Sequence, residues 1–489
     1  MLMSLTRVGA ARQAVSRGLV VTGADPERIA RALTGVPLPR LGGVPLTVAP
    51  QERTAGLLLL SSPLTWMGGP DARDEAFAAL GQATAQLAGA ARSAGGRLLP
   101  TAVTLGDAPP VLGGDLHELE VLDASEQEVL CNVLRRYVPV LIALSGRGVV
   151  GTGAPVDRVG SRRLIESTEH LATRYLASTS PRHLEHVRAE LRRGGLARLE
   201  QMDVAPVVHP DGTRTVLVRC MDAQASLAVT RAHAVLLCAL ALHARRLVRD
   251  GRREGHVSQR LLEENRARAI ADGMRASLGL DAARPGKQQG GRPGNAGRDA
   301  AAEPQRRRAL LAARDLLTER RAEIGNIDAT AAELAPLLMM IDLPGLGVPF
   351  RRADDVLRGW AAGGPAALEA KLLESLCDGG TGGTGGTVVG ELRAAHPGKI
   401  GLILESWRTA LSAPPPQPRN TRKPPNRGKG GSGRGGSAQN RGGSGQDRGG
   451  AGRGKGGAGQ RRGGHGQGGH GQGGHGQGGS GQGRGGGQG

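Results

Sequence analysis

Glu118 and Glu120 stand two residues apart in the run Asp-Leu-His-Glu-Leu-Glu-Val at 115–121, which reads as an extended strand. On a strand both carboxylates fall on one face, where they have the chemistry of divalent-metal ligands or of a general base. The same placement suits an ordinary exposed polar face. His183 and His186, at i and i+3, are spaced like half of a metal site, but the charged residues around them read as a solvated helix face. Gly151 and Gly153 are followed by no Gly-Lys-Ser/Thr and so do not make a phosphate loop. No Ser/His/Asp or Cys/His signature is evident. Cys131, Cys220, Cys238 and Cys377 lie far apart with no Cys-x-x-Cys, and three of them sit in apolar or helical surroundings. Buried thiols in a reducing compartment are expected, with no disulfide framework and no metal site.

The charge of the chain is unevenly spread. Of a formal net +20, about twelve charges lie from Ala413 onward, where 13 lysines and arginines face one acid, Asp447. That stretch repeats Arg-Gly-Gly, then Gly-Gln-Gly-Gly-His with His465, His470 and His475. It holds no Leu, Ile, Val or aromatic residue, so nothing offsets the entropy of ordering it, and a disordered tail is expected. Arg427, Arg434, Arg441, Arg448 and Arg453 are the candidates there for weak, salt-dependent contact with RNA or another polyanion. A solubilising repeat expansion is the competing reading.

The preceding residues supply the core. Aromatics are only 1% of the chain, so the interior must be built from Leu, Val, Ile and Ala, as at 234–244. The longest apolar runs are too short to span a bilayer, and a cytoplasmic location without a membrane partner is expected. Residues 1–40 read as an N-terminal extension with a short strand near 18–23 and a helix at 25–33. Arg7, Arg12 and Arg17 in an acid-free start superficially suit a transit peptide, but there is no secretory apolar core.

A body is expected over 41–412, with a Gly/Pro/Arg/Gln loop insertion at 281–305 and the tail at 413–489. Apolar spacing predicts a helix from Asp71 to about Ala94, with Pro70 at its start. A second begins near Ser125, and Pro139 should kink or end it. Residues 204–222 read as a hairpin around Asp211-Gly212. Helices are expected at 226–249, 258–278, 306–323, 328–341 and 364–376. The sum is an α+β body with helices in the majority.

Four segments in order then invite a comparison. Thr-Val-Leu-Val-Arg-Cys-Met-Asp at 215–222 resembles the Thr-Val-Glu-Val-Arg strand of glutamate–cysteine ligase-type carboxylate–amine ligases. Glu264-Asn265-Arg266 is similar to that family's Glu-Asn-Arg helix, and the loop at 151–163 to its Thr-Gly…Ser-x-Arg loop. Asp123, Asn132, Pro139 and Ser145 match a fourth family segment without gaps. The resemblance runs over roughly 45–280 and implies an antiparallel sheet forming a funnel-like site, flanked by helices, as in the glutamine synthetase/glutamate–cysteine ligase-like fold. It also implies ATP-dependent phosphorylation of a carboxylate, usually the γ-carboxylate of glutamate, followed by attack of an amine. The cofactors would be ATP and magnesium held by glutamates.

The chain departs from the family at those positions. Leu59 and Leu217 stand where glutamates are expected, and Leu116 and Glu118 where a His-x-His pair is expected, with His117 sent to the opposite face. No counterpart of the family's Glu-Glu-x-Phe strand is evident near residue 18. What remains is Arg162 or Arg163, Arg219, Asn265 and Arg266, which the resemblance turns toward an anionic substrate or phosphate, and the acid Asp222. Pairing of Arg219 with Asp222 or another acid is the structural alternative. The leading expectation is a divergent ligase-like protein, impaired or altered in catalysis, able to bind a small anionic carboxylate or nucleotide. An active ligase using Glu118, Glu120 and Asp222 is one alternative, and a polyanion-binding protein acting through its tail is another.

Overall fold

The computed structural model describes residues 12–51, 54–99, 113–146, 160–166, 170–193, 198–279, 306–342, 359, 362–377 and 397–412. All of them belong to one compact unit, Met1–Gln417. The insertion at 281–305, the Thr-Gly loop at 151–159 and the arginine-rich tail lie outside the described residues.

The sheet is assembled on β1, Arg12–Gly23. Where the sequence suggests only a short strand in an extension, the chain forms a 12-residue strand with partners on both edges. The other strands are β2 (Thr47–Pro50), β3 (Leu57–Ser61), β4 (Thr65–Trp66), β5 (Gly96–Leu99), β6 (Gly114–Val121), β7 (Val204–Val208) and β8 (Arg214–Asp222). They are ordered β2-β3-β1-β6-β8-β7, with β4 and β5 also pairing β1, and every pairing is antiparallel. The β7–β8 hairpin forms where Asp211-Gly212 predicts it, with Gly212 at φ +86°.

Helices flank this sheet: α1 (Pro26–Leu33), α2 (Pro70–Ser93), α3 (Ala124–Ser145), α4 (Arg162–Glu166), α5 (Pro181–Arg193), α6 (Leu227–Arg249) and α7 (Gln259–Asp272). A two-stranded ribbon follows, β9 (Ser277–Gly279) with β10 (Arg306–Arg308). Then come α8 (Ala309–Glu319), α9 (Arg321–Asn326), α10 (Ala331–Asp342), α11 (Gly364–Cys377) and α12 (Pro397–Ser412). The expected α+β body, an antiparallel sheet flanked by helices, is the architecture observed.

Three helices differ from expectation: the one expected at 306–323 begins only at Ala309, because 306–308 pair with β9, and divides at Arg320 into α8 and α9; the other two have local reasons. Helix α3 runs through Pro139, because Val138, Val140, Leu141 and Ile142 are buried around it and their packing outweighs one missing hydrogen bond. Helix α7 stops at Asp272 because Gly273 takes φ +53°, and the chain then leaves as β9. Helix α6 is long and apolar enough to cross a membrane by length and composition, but 89% of its apolar window is buried inside this fold. It packs against α2, α3, α9, α10 and the strands β1 and β6.

A charged node fastens the late helices to α6. His243 on α6 lies 3.4 Å from Glu254 and 3.5 Å from Glu323 on α9, while Arg246 reaches Glu323 at 2.6 Å. Arg136 on α3 bonds Glu254, and Arg320 and Tyr137 complete the surroundings. Burial opposes the imidazolium, but the two carboxylates outweigh it and raise the His243 pKa above its usual value. A raised pKa stabilises the fold fully below about pH 6.5 and is lost as pH rises through the folded value. His243→Gln should therefore lower Tm by a few degrees near pH 6 and by little near pH 9, as read by thermal unfolding across that range.

Candidate functional site

Strand alternation divides the sheet into two faces. The inner face carries Gln13, Val15, Arg17 and Leu19 of β1, and Asp115, His117 and Leu119 of β6, all essentially inaccessible. It packs on α6: Thr230 donates to Asp115 at 2.8 Å, and the Cys238 thiol donates to Gln13 at 3.0 Å. His117 falls on this face, as its register requires. Its Nδ1 accepts from Gln13 Nε2 at 2.8 Å, and burial pushes its pKa down to about 3.

The outer face carries the residues on which the sequence argument turns. Leu217 and Ala14 stand directly opposite Glu118 on its two sides, Leu116 pairs with Ser16, and Leu59 pairs with Gly18. Leu59, Leu116, Glu118 and Leu217 therefore share one face. Glu118 is already engaged: its Oε1 accepts from Thr215 Oγ1 and from His209 Nε2, each at 2.6 Å. Glu120 accepts from Arg12 Nη1 at 2.6 Å. These two carboxylates, alone of the expected acids, stand half-buried on the outer face; Asp222 is wholly buried.

Asp222 accepts from Ser161 Oγ at 2.7 Å and from Arg163 Nε at 3.1 Å. Arg163 spends its other donors on the carbonyls of Arg219 and Met221 and on His170 Nε2 at 2.8 Å. Its guanidinium lies over Gly114, where a Cβ would come within 2.9 Å of Cζ; glycine is needed there for the approach. Burial and the charges of Arg163, Arg219 and Arg266 hold His170 neutral. Arg266 grips the buried Asp203 through two hydrogen bonds, 2.5 and 3.0 Å. Asn265 makes a reciprocal pair with the backbone of Gly279, 2.8 and 2.7 Å, which ties α7 to the ribbon. Arg219 donates to the carbonyl of Glu200. Arg162 lies in α4 with its side chain outside the described residues, and the tail arginines Arg427, Arg434, Arg441, Arg448 and Arg453 lie wholly outside them.

The structure thus gathers Arg163, Arg219 and Arg266 around His170, but with two protein carboxylates inserted among them. Sequence reasoning missed Asp203, His209 and Thr215. The turn at Asp211-Gly212 was the available signal for the last two, since it brings His209 and Thr215 together beside β6.

The donor set does not fit a magnesium–nucleotide centre. Both positions where glutamates are expected, Leu59 and Leu217, are hydrocarbon; of the two positions where a His-x-His pair is expected, one is Leu116 and the other, Glu118, is hydrogen-bonded twice through one oxygen; and no three His, Cys, Asp or Glu side chains among the described residues are grouped to hold a metal ion.

No protein-family model and no curated protein matches the chain. Among solved structures it is similar to the Pup ligase PafA in complex with Pup, at 11% identity and TM-score 0.46, over 83% of this chain and 81% of that one. A bifunctional glutathione synthetase from Pasteurella multocida matches at 11% identity and TM-score 0.45, over 77% of this chain and 53% of that one. Glutamate–cysteine ligase from Francisella tularensis, in complex with AMP, matches at 10% identity and TM-score 0.44, over 82% and 95%.

Proposed function

We propose that the body is a catalytically silent derivative of a carboxylate–amine ligase, kept as a scaffold for binding. The observation that carries this reading is the shared outer face of Leu59, Leu116, Glu118 and Leu217. Hydrocarbon side chains supply no oxygen to a hard cation, so the face has lost the means to bridge and neutralise a polyphosphate. The arginines that resemblance turns toward an anion support the same reading, because Arg163 and Arg266 neutralise Asp222 and Asp203. In this role they position strand ends and loops rather than reacting groups. Any small carboxylate or nucleotide bound nearby would have to compete with those internal acids.

A second reading, an active ligase with displaced acids, is favoured by the placement of Glu118 and Glu120 on that outer face. Manganese binding separates the two, since Mn²⁺ substitutes for Mg²⁺ on oxygen ligands and is visible by electron paramagnetic resonance. The silent scaffold should show no site that depends on these acids. A stoichiometric Mn²⁺ site removed by Glu118→Gln/Glu120→Gln would overturn it in favour of the second reading.

A further inference from the structure

The ribbon β9–β10 and the adjoining face of α7 differ from the rest of the body in how they use arginine. Many guanidiniums of the body are spent on carboxylates, as in Arg12–Glu120, Arg163–Asp222, Arg245–Glu126 and Arg266–Asp203, and what sets the ribbon apart is three arginines in succession. On β10, three consecutive arginines follow the insertion, and only the middle one, Arg307, is paired, with Asp315. Arg306 and Arg308 are exposed and have no carboxylate partner among the described residues. Their cross-strand neighbours are Gly279 and Ser277, so no acid stands opposite either of them.

Strand alternation puts Arg306 and Arg308 on the same side of the ribbon, roughly 6.6 Å apart along the chain. Arg268 of α7 reaches the same strand pair and donates to the carbonyl of Ser277, the residue opposite Arg308. Arg260 and Arg268 also lie close enough to Arg306 to act on one carboxylate, Glu264, and hold its pKa down. Three guanidiniums, of which Arg260 is bonded to it at 2.9 Å, thus act on this one carboxylate. Like charges held this close cost free energy unless an anion joins them.

We propose that this ribbon is a binding surface for single-stranded nucleic acid, tracking its phosphates. Two guanidiniums at strand spacing along one edge meet successive phosphates of an extended backbone, and the planar fork of arginine contacts each bidentately. The guanidinium faces also stack on unpaired bases, which this aromatic-poor surface otherwise lacks the means to do. The surface is independent of the reading of the sheet face.

The test uses the full chain and a fluorescein-labelled single-stranded RNA of about twenty nucleotides, followed by anisotropy across a salt series. Arg306→Ala/Arg308→Ala should weaken binding about five- to twenty-fold at 0.1 M salt and reduce the log–log salt slope by about 1.4, two contacts' worth. The control is Arg182→Ala/Arg193→Ala on α5, which removes the same charge from exposed positions elsewhere and should leave the slope near wild type. Unchanged affinity in the ribbon variant, or equal weakening in the control, would overturn the proposal. Tighter binding to phosphatidylserine vesicles than to RNA, lost in the same ribbon variant, would overturn nucleic acid as the partner.

Discussion

Glu333→Ala should destabilise the body by about 3–5 kcal/mol, the range for breaking a buried ion pair from one side. Glu333 opens α10 and accepts from two arginines on two other helices. Arg73 of α2 approaches it at 2.6 and 2.9 Å, and Arg231 of α6 at 2.6 and 2.9 Å. Arg73 is fully buried, Arg231 nearly so, and Glu333 itself is 7% exposed. Removing the carboxylate leaves two guanidiniums in the interior, of which Arg231 retains Asp74 and Arg73 retains only backbone carbonyls. Glu333→Gln keeps the shape and part of the hydrogen bonding, so it should fall between the two. Urea unfolding at neutral pH measures both.

The same residue sets an acid limit. Burial alone would raise the Glu333 pKa, but hydrogen bonds from Arg73 and the Thr330 N–H, with the charges of Arg73 and Arg231, hold it down to about 2. A depressed pKa contributes stability above the unfolded value that is lost as pH falls through the folded one. The gap between wild type and Glu333→Ala should therefore close between about pH 4.5 and 2.

Asp115→Ala should cost a similar 3–5 kcal/mol by a different route. Asp115 and Arg17 face each other across β6 and β1, 3.6 Å apart, with neither side chain accessible. Asp115 also accepts from Thr230 Oγ1 at 2.8 Å and from the Gln224 N–H at 3.2 Å. The single substitution strands a buried guanidinium. Replacing both partners, Arg17→Met/Asp115→Leu, removes the uncompensated charge and should recover most of the loss, because a buried pair contributes little net stability over apolar residues of similar volume. A double substitution as unstable as Asp115→Ala would show that the hydrogen bonds to Thr230 and Gln224, not the pair, carry the effect.

These polar interiors also explain which elements were legible in the sequence. The hairpin at 204–222 and helix α2 announce themselves through alternation, the Asp-Gly turn and helical spacing. Strand β1 does not, because Gln13 and Arg17 occupy inward positions where the pattern calls for apolar residues, and only His117, Cys238 and Asp115 from other elements make sense of them. Helix α3 hid its length behind Pro139, which tertiary packing overrides. On the outer face, counting along β6 separates Leu116 and Glu118 from His117, whereas Leu59 and Leu217 were expected beside them only through the family resemblance, and the cross-strand register is what joins the four. The partners of Arg163 and Arg266 were not legible, since Asp222 and Asp203 meet them only through long-range closure that no local pattern encodes, while His209 reaches Glu118 through the Asp211-Gly212 turn, whose signal was present but not followed to that contact.

Under the proposed function the sheet face does not support phosphoryl transfer. The most direct test is ADP release by the full chain with ATP, magnesium, glutamate and a panel of amines including cysteine. The account predicts no magnesium-dependent release above a protein-free control. Magnesium-dependent turnover that disappears in Glu118→Gln or Glu120→Gln would contradict it.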